Sequence, residues 1–184
     1  MTHIYLVRHG EAAASWGESA DPGLSQLGFQ QAESAREQLL ATLGDEQIDI
    51  LSSPLRRAQE TAAPLAQQLQ HEVRIDERFK EIPSPVPLSE RQDWLRAFMQ
   101  QRWSDQDQGL LRWKEQMLKG LQECARDTVI FTHFLVINSI VGHCEGKENT
   151  LVAWPSNASI TTVTLDDGVL ALAALGEQMR TRVN

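Results

Sequence analysis

Ile48-Asp49-Ile50-Leu51-Ser52-Ser53-Pro54-Leu55-Arg56-Arg57-Ala58-Gln59-Glu60-Thr61-Ala62 carries the end of one element and the start of the next. Residues 48–51 are a short, mostly apolar run that reads as a strand. Ser53 and Pro54 then predict a helix start, with Ser53 as N-cap and Pro54 at the first helical position. Leu55, Ala58, Ala62, Leu65 and Leu69 fall on one helical stripe, and Pro64 inside it predicts a kink. A strand that hands straight on to a helix is the unit from which parallel sheets are wound.

The same alternation runs outward in both directions. Ile4-Tyr5-Leu6-Val7 reads as a buried strand that stops at Arg8-His9-Gly10. Leu27, Ala32, Ala35, Leu39 and Leu43 recur at helical spacing over residues 25 to about 43, with Gly44 closing the helix. Residues 71–75 make a short strand, and Pro83-Ser84-Pro85-Val86-Pro87 an extended connector. Residues 89 to about 103 are amphipathic, with Trp94, Leu95, Phe98, Met99 and Trp103 on one face. Residues 110–125 align Leu110, Trp113, Met117, Leu121 and Cys124. Thr128-Val129-Ile130-Phe131-Thr132 is a strand that ends at His133, with a helix from about 135 to 143 after it. Residues 159–165 and 169–175 flank Asp167-Gly168 as a hairpin. The expected fold is therefore α/β: a three-layer α/β/α sandwich, its sheet mostly parallel, with an antiparallel edge strand from the C-terminal hairpin. The length of 184 residues suits one domain, residues 1–184, with an insertion or cap segment at about 83–108.

Composition excludes several classes. Lys plus Arg is 17 and Asp plus Glu 25, a formal net charge of −8. That balance argues against a nucleic-acid partner and against an anionic membrane surface. Hydrophobic residues are 41% and charged residues 23%, a globular mixture. No apolar run approaches the ~20 residues of a membrane span, and the N-terminus lacks a signal-peptide pattern. Cys124 and Cys144 make no disulfide framework, so the expectation is a reduced, cytoplasmic protein. The sequence carries no signal of an oligomeric state.

Three strands run into cationic or imidazole residues. The first delivers Arg8 and His9, the second Ser52-Ser53 and then Arg56 and Arg57, the later one His133. Strand ends of a parallel sheet share one edge, where ligands bind. Two histidines and one or two arginines beside a helix N-terminus favour an anion with tetrahedral oxygens.

These residues sit in longer matches. Leu6-Val7-Arg8-His9-Gly10-Glu11 resembles the Arg-His-Gly signature of the histidine phosphatase superfamily, the phosphoglycerate mutase-like proteins. Leu24-Ser25-Gln26-Leu27-Gly28-Phe29-Gln30-Gln31-Ala32 resembles the family's Leu-Ser/Thr-x-x-Gly-x-x-Gln-Ala helix start. Residues 52–62 resemble its Ser-Ser-Pro-x-x-Arg-Ala-x-x-Thr-Ala stretch, which aligns the phosphate-binding arginine with Arg57. Ile75-Asp76-Glu77-Arg78 resembles the segment with the acid/base glutamate and places it at Glu77, with Glu81 a nearby competitor. Val129-Ile130-Phe131-Thr132-His133 resembles the strand to the second histidine, and Asn157-Ala158-Ser159-Ile160-Thr161 the late Asn-x-Ser-Ile-Thr segment.

The resemblance implies a small bacterial-type phosphatase, a metal-independent phosphomonoester hydrolase without a cofactor. His9 would attack phosphorus and carry the phosphoryl group. Its other ring nitrogen should donate to a backbone carbonyl. Arg8, His9, Arg57 and His133 would bind phosphate, and Glu77 would protonate the leaving oxygen and then activate water. The implied partner is a small phosphorylated substrate. No metal-ligand spacing appears among the five histidines. Arg56, His3, His71 and His143 read as lying outside the pocket. Trp16 is open between substrate contact and loop anchor. The Trp94, Phe98 and Trp103 stripe reads as packing, and the segment from 83 to about 108 as the source of specificity.

Two departures matter. Phe134 stands where the family usually has Gly after the second histidine, so its ring should narrow the pocket or alter a backbone N–H. Phe79-Lys80-Glu81-Ile82-Pro83 stands where many members have a Gly-rich segment. With little chain for a mutase-style lid, hydrolysis is favoured. A phosphohistidine protein phosphatase, a phosphoglycerate mutase-type phosphotransferase and a non-catalytic phosphate-binding protein are the alternatives.

Overall fold

The computed structural model describes residues 1–14, 19–44 and 47–179. Trp16 lies outside the described residues. Six strands form one sheet: β1 (Thr2–Arg8), β2 (Asp49–Ser52), β3 (Val73–Ile75), β4 (Thr128–Thr132), β5 (Ile160–Asp166) and β6 (Val169–Ala174). Their spatial order is β3-β2-β4-β1-β5-β6. The pairs β1–β4, β2–β4 and β2–β3 are parallel, whereas β5 runs antiparallel to β1 and to β6. The sheet is thus mostly parallel with an antiparallel edge. Asp167 and Gly168 both take positive φ, 47° and 80°, as a two-residue hairpin turn needs.

Among the described residues, α1 (Gln26–Thr42) and α2 (Arg56–Leu69) cover one face, α3 (Arg91–Phe98) joins a separate apolar cluster, and α4 (Gln108–Gln122) and α5 (Phe134–Cys144) cover the other face. Side-chain alternation along the strands divides the core. Ile4 and Leu6 of β1, Leu51 of β2 and Ile130 of β4 pack with Met117 and Leu121 of α4 and Val136, Ile137 and Ile140 of α5. Tyr5, Val7, Ile50, Val129 and Phe131 face the other way, onto Ala35 and Leu39 of α1 and Ala58, Ala62 and Leu65 of α2. A third apolar cluster joins Ile82, Leu95, Phe98, Trp103 and Leu110 to Phe134 and Leu135. Phe98 sits 5.5 Å from Trp94 and edge-on to Trp103 at 5.7 Å, so the aromatic stripe is packing.

Helix boundaries differ from the sequence reading in instructive ways. The second helix starts two residues later, at Arg56, because Ser53 Oγ accepts from Leu55 N–H in a turn before it and caps no helical N–H. Ser25 does cap α1, accepting from Gly28 N–H at 3.0 Å, but the helix closes at Leu43 in extended conformation without a left-handed Gly44. Leu27 is exposed, and Gly28 takes its place on the buried stripe. The amphipathic stretch after Pro87 shortens to α3, and Trp103 begins a separate 3-10 turn (Trp103–Asp105). Among the described residues, no helix is long and apolar enough to cross a membrane.

Candidate active site

The ends of β1, β2 and β4 are tied together. His9 N–H donates to the Thr132 carbonyl at 3.0 Å, Ser53 N–H to that of Phe131 at 2.9 Å, and Arg8 N–H to that of Ser159 at 3.1 Å. These bonds extend the sheet ladder by one residue past each strand. They bring Arg8, His9 and His133 to one edge, with the first turn of α2 beside them.

His9 is 5% exposed and fixed at both ring nitrogens. Nδ1 lies 2.7 Å from the Gly10 carbonyl, which can only accept, so Nδ1 holds the proton and Nε2 presents its lone pair. Arg57 Nε donates to that lone pair at 3.1 Å. Burial and the neighbouring Arg57 cation push the imidazole down to about 3, so the ring is neutral at physiological pH. Thr61, one turn beyond Arg57 on the same face of α2, accepts from Gly10 N–H at 3.0 Å while donating to the Arg57 carbonyl. The spacing of four between Arg57 and Thr61 thus places one residue on each side of the His9–Gly10 peptide.

The stretch around α1 holds the loop after His9 from the other side. Gln31 accepts from Glu11 N–H at 2.7 Å, and Ser25 N–H donates to the Glu11 carbonyl at 2.9 Å. Gly10 and Gly28 are in direct contact: a Cβ on Gly10 would lie 2.5 Å from the Gly28 carbonyl oxygen. Both positions need glycine because two backbones touch there.

His133 is fully buried, with Nε2 2.7 Å from Ser53 Oγ, and its ring lies 5.2 Å from that of His9. Burial, followed by the charges around it, holds it well below the usual histidine range. Arg8 Nη1 donates to the Pro155 carbonyl at 2.8 Å, and its guanidinium sits 5.2 Å above the Phe134 ring. Burial lowers Arg8 to about 10, which still leaves it charged at neutral pH. Phe134 packs on Trp154 and supports Arg8, and it is not among the residues lining the cavity beside Arg57. Its ring thus forms a platform under the Arg8 cation. His133 Nδ1 and Arg8 Nε are buried without a hydrogen-bond partner. Buried polar atoms seldom stay unpaired, and anionic oxygens can satisfy both.

The carboxylate in this cluster is Glu81, not Glu77. Glu77 opens an exposed 3-10 turn (Glu77–Phe79) that Asp76 caps, and it reaches only the rim of the cavity. Phe79 is completely buried, and its carbonyl accepts from Thr132 Oγ1 at 2.7 Å, which pins the segment to β4. The chain then runs extended, so Lys80 points out and Glu81 returns to the inside. Glu81 is 6% exposed and accepts from Ile82 N–H at 3.0 Å and from Leu135 N–H, in the first turn of α5, at 3.3 Å. Burial raises its pKa, more than these bonds and the nearby Arg57 and Arg91 lower it. The signal that could have found it is the two-residue step from Phe79: a buried aromatic followed at i+2 by a carboxylate in an extended stretch.

Arg57 and Glu81 line a cavity of about 610 Å³ together with Asp21, Leu55, Ile82, Val86, Arg91 and Trp113. Arg56 points away, pairing with Glu60 at 2.7 Å. His71 and His143 are exposed, and His3 is half-buried at the start of β1. Among the described residues, no group of three or more His, Cys, Asp or Glu is placed to hold a metal ion.

With this geometry in place, residues 4–178 match the Histidine phosphatase superfamily (branch 1). The chain belongs to this superfamily. It is 31% identical over 130 residues to the Salmonella paratyphi C protein named "probable phosphoglycerate mutase", a match over 67% of this chain and 53% of that protein. The chain spans about half the length of the curated relatives it matches. Among solved structures, the phosphoserine phosphatase of Entamoeba histolytica in complex with 3-phosphoglyceric acid superimposes with a TM-score of 0.74 at 25% identity, covering 97% of this chain and 98% of that one. A mycobacterial glucosyl-3-phosphoglycerate phosphatase shares the fold, with a TM-score of 0.73 at 20% identity over 95% of this chain and 98% of its own.

Proposed function

We propose that this histidine phosphatase homologue is a phosphomonoester hydrolase that works through a phosphohistidine at His9, acts on a small phosphorylated substrate and requires no metal. The observation that carries the proposal is the state of the His9 ring. It is neutral, its tautomer is set by Gly10, and its lone pair faces Arg57. A phosphoryl oxygen competes for the Arg57 donor, which frees Nε2 to attack.

In the first step the Nε2–P bond forms as the P–O ester bond breaks. Arg8, Arg57 and His133 hold the equatorial oxygens, whose charge grows in the transition state. The leaving oxygen takes its proton from Glu81, which burial keeps available as an acid. In the second step water attacks phosphorus, Glu81 accepts its proton, and the Nε2–P bond breaks to release inorganic phosphate. Glu81 takes the role that the resemblance gives to Glu77, a reading supported by its being the buried carboxyl group of the cavity.

The test is phosphate release by wild type and His9→Ala from an aryl phosphate, phosphosugars and phosphorylated acids. His9-dependent turnover of at least one substrate is expected, with acid-labile, base-stable phosphorylation of wild type only. Equal release by both proteins on every substrate would overturn the hydrolase reading.

A further inference from the structure

The cavity that receives the leaving group holds a cation that the phosphate chemistry does not use. Arg91, the first residue of α3, lines it together with Arg57 and Glu81. Several arginines of this chain rest on carboxylates, Arg36 on Glu33 at 2.8 Å, Arg56 on Glu60 at 2.7 Å and Arg96 on Asp93 at 3.2 Å. Arg91 makes no such pair among the described residues. Its one hydrogen bond is a long one, 3.4 Å, from Nη2 to the Ile82 carbonyl, and its Nε is buried without a partner. Its charge is felt at Arg57, Glu81 and His133, so it stands within electrostatic reach of the whole cluster.

The other charges of the cavity are spoken for. Asp21 accepts from Arg56 N–H at 2.9 Å and lies 4.0 Å from Arg57. Glu77 and Lys80 also line it, but both are exposed, so water screens their charges. The remaining walls are mainly apolar, with Leu55, Ile82, Val86, Leu88 and Trp113; Ser84 Oγ is engaged with the Val86 backbone and Trp113 Nε1 donates to the Lys80 carbonyl at 3.2 Å, so little hydrogen bonding is left for a polyhydroxyl substrate. What is left over is one guanidinium facing a mainly apolar hollow of about 610 Å³.

We propose that Arg91 is a specificity-determining residue that binds a carboxylate on the leaving-group side, so that the substrates are small phosphorylated carboxylic acids. This rests on the hydrolase reading above and adds the substrate class to it. A planar guanidinium matches a carboxylate with two parallel bonds. One positive charge, beside Glu81 and Asp21, suits a monoanion better than a second phosphate.

The experiment compares 3-phosphoglycerate with glycerol 3-phosphate, which carries a hydroxymethyl group in place of the carboxylate. For wild type, kcat/KM should favour the carboxylate at least tenfold. In Arg91→Met the ratio should fall to within twofold of one, through a rise in KM for 3-phosphoglycerate, and Arg91→Lys should restore part of it. Absence of a preference in wild type, or its persistence in Arg91→Met, overturns the proposal. So does a higher kcat/KM for 1,3-propanediol bisphosphate than for 3-phosphoglycerate. His9-dependent cleavage of p-nitrophenyl phosphate in the same preparations separates these failures from failure of the hydrolase reading. If no ester turns over, quenching of Trp113 fluorescence by the two ligands reads the same contrast as binding, and equal affinities again overturn the proposal.

Discussion

Replacing His9 by Gln should make the protein less sensitive to acid. His9 titrates at about 3 in the native state, and an unfolded histidine titrates near 6.5. A histidine depressed on folding stays neutral while the unfolded chain takes up its proton. Its contribution is therefore fully present above pH ~6.5 and is lost as pH falls toward 3. The linkage relation gives a loss of about 2 kcal/mol from His9 alone between pH 8 and pH 5, and about 1.4 kcal/mol for each further unit until pH ~3. His133 adds a loss of the same sign, whereas Glu81, raised on folding, opposes both over its own window above the normal Glu value. The difference between wild type and His9→Gln cancels these shared contributions. Urea unfolding at pH 8 and pH 5 should show wild type losing about 2 kcal/mol more than the variant. At ordinary m-values this is a differential midpoint shift of roughly 1 M. Each protein is compared with itself at two pH values, so the variant need not be as stable as wild type. Losses equal within about 0.5 kcal/mol at unchanged m would refute a neutral, desolvated His9, as would a His9 ring resonance that titrates above pH 5.

Glu81→Gln should lower kcat for alkyl phosphates by about 10²- to 10⁴-fold and let phosphohistidine accumulate with p-nitrophenyl phosphate, because water activation is lost along with the acid; Glu77→Gln should stay within about twofold, and the reverse pattern in steady-state and quench assays would return the role to Glu77. Arg57→Ala removes the donor 3.1 Å from His9 Nε2 and should cost about 10²- to 10³-fold in kcat/KM while the His9 titration moves up toward its ordinary value, both readable by kinetics and proton NMR. Gly28→Ala, which in an exposed helix interior would stabilise by up to about 1 kcal/mol, should instead destabilise by about 1–3 kcal/mol, because the new Cβ meets the Glu11 carbonyl; a fall in Tm of roughly 3–10 °C is expected, and a rise would show that the two backbones can part.

Strand order and pairing direction follow from contacts between distant segments, yet the elements themselves were legible. Residues 128–132 were read as a strand with the bounds it has, since an uninterrupted β-branched and aromatic run has few other uses. Asp167-Gly168 announced its turn because both positions need positive φ. The start of α2 was misread: Ser53-Pro54 has the composition of a helix start, but Ser53 Oγ is drawn to His133 Nε2 and Leu55 N–H, so the helix waits until Arg56. Local preference lost there to a tertiary hydrogen bond.

By itself the sequence determined the elements, the superfamily, and the residues whose place is set by their strand. Arg8, His9 and His133 belong to this group, because a strand end in a parallel sheet leaves its next residues no other edge to occupy. Only the tertiary structure shows that Glu81 is buried and Glu77 exposed. Both lie in an irregular segment whose path depends on the burial of Phe79 and on Thr132 Oγ1 pulling its carbonyl to β4. It also shows that Phe134 supports Arg8 and that Arg91 faces the cavity without an ion pair among the described residues. Those outcomes depend on which side chains from distant segments reach the same space, and periodicity along the chain carries no record of that.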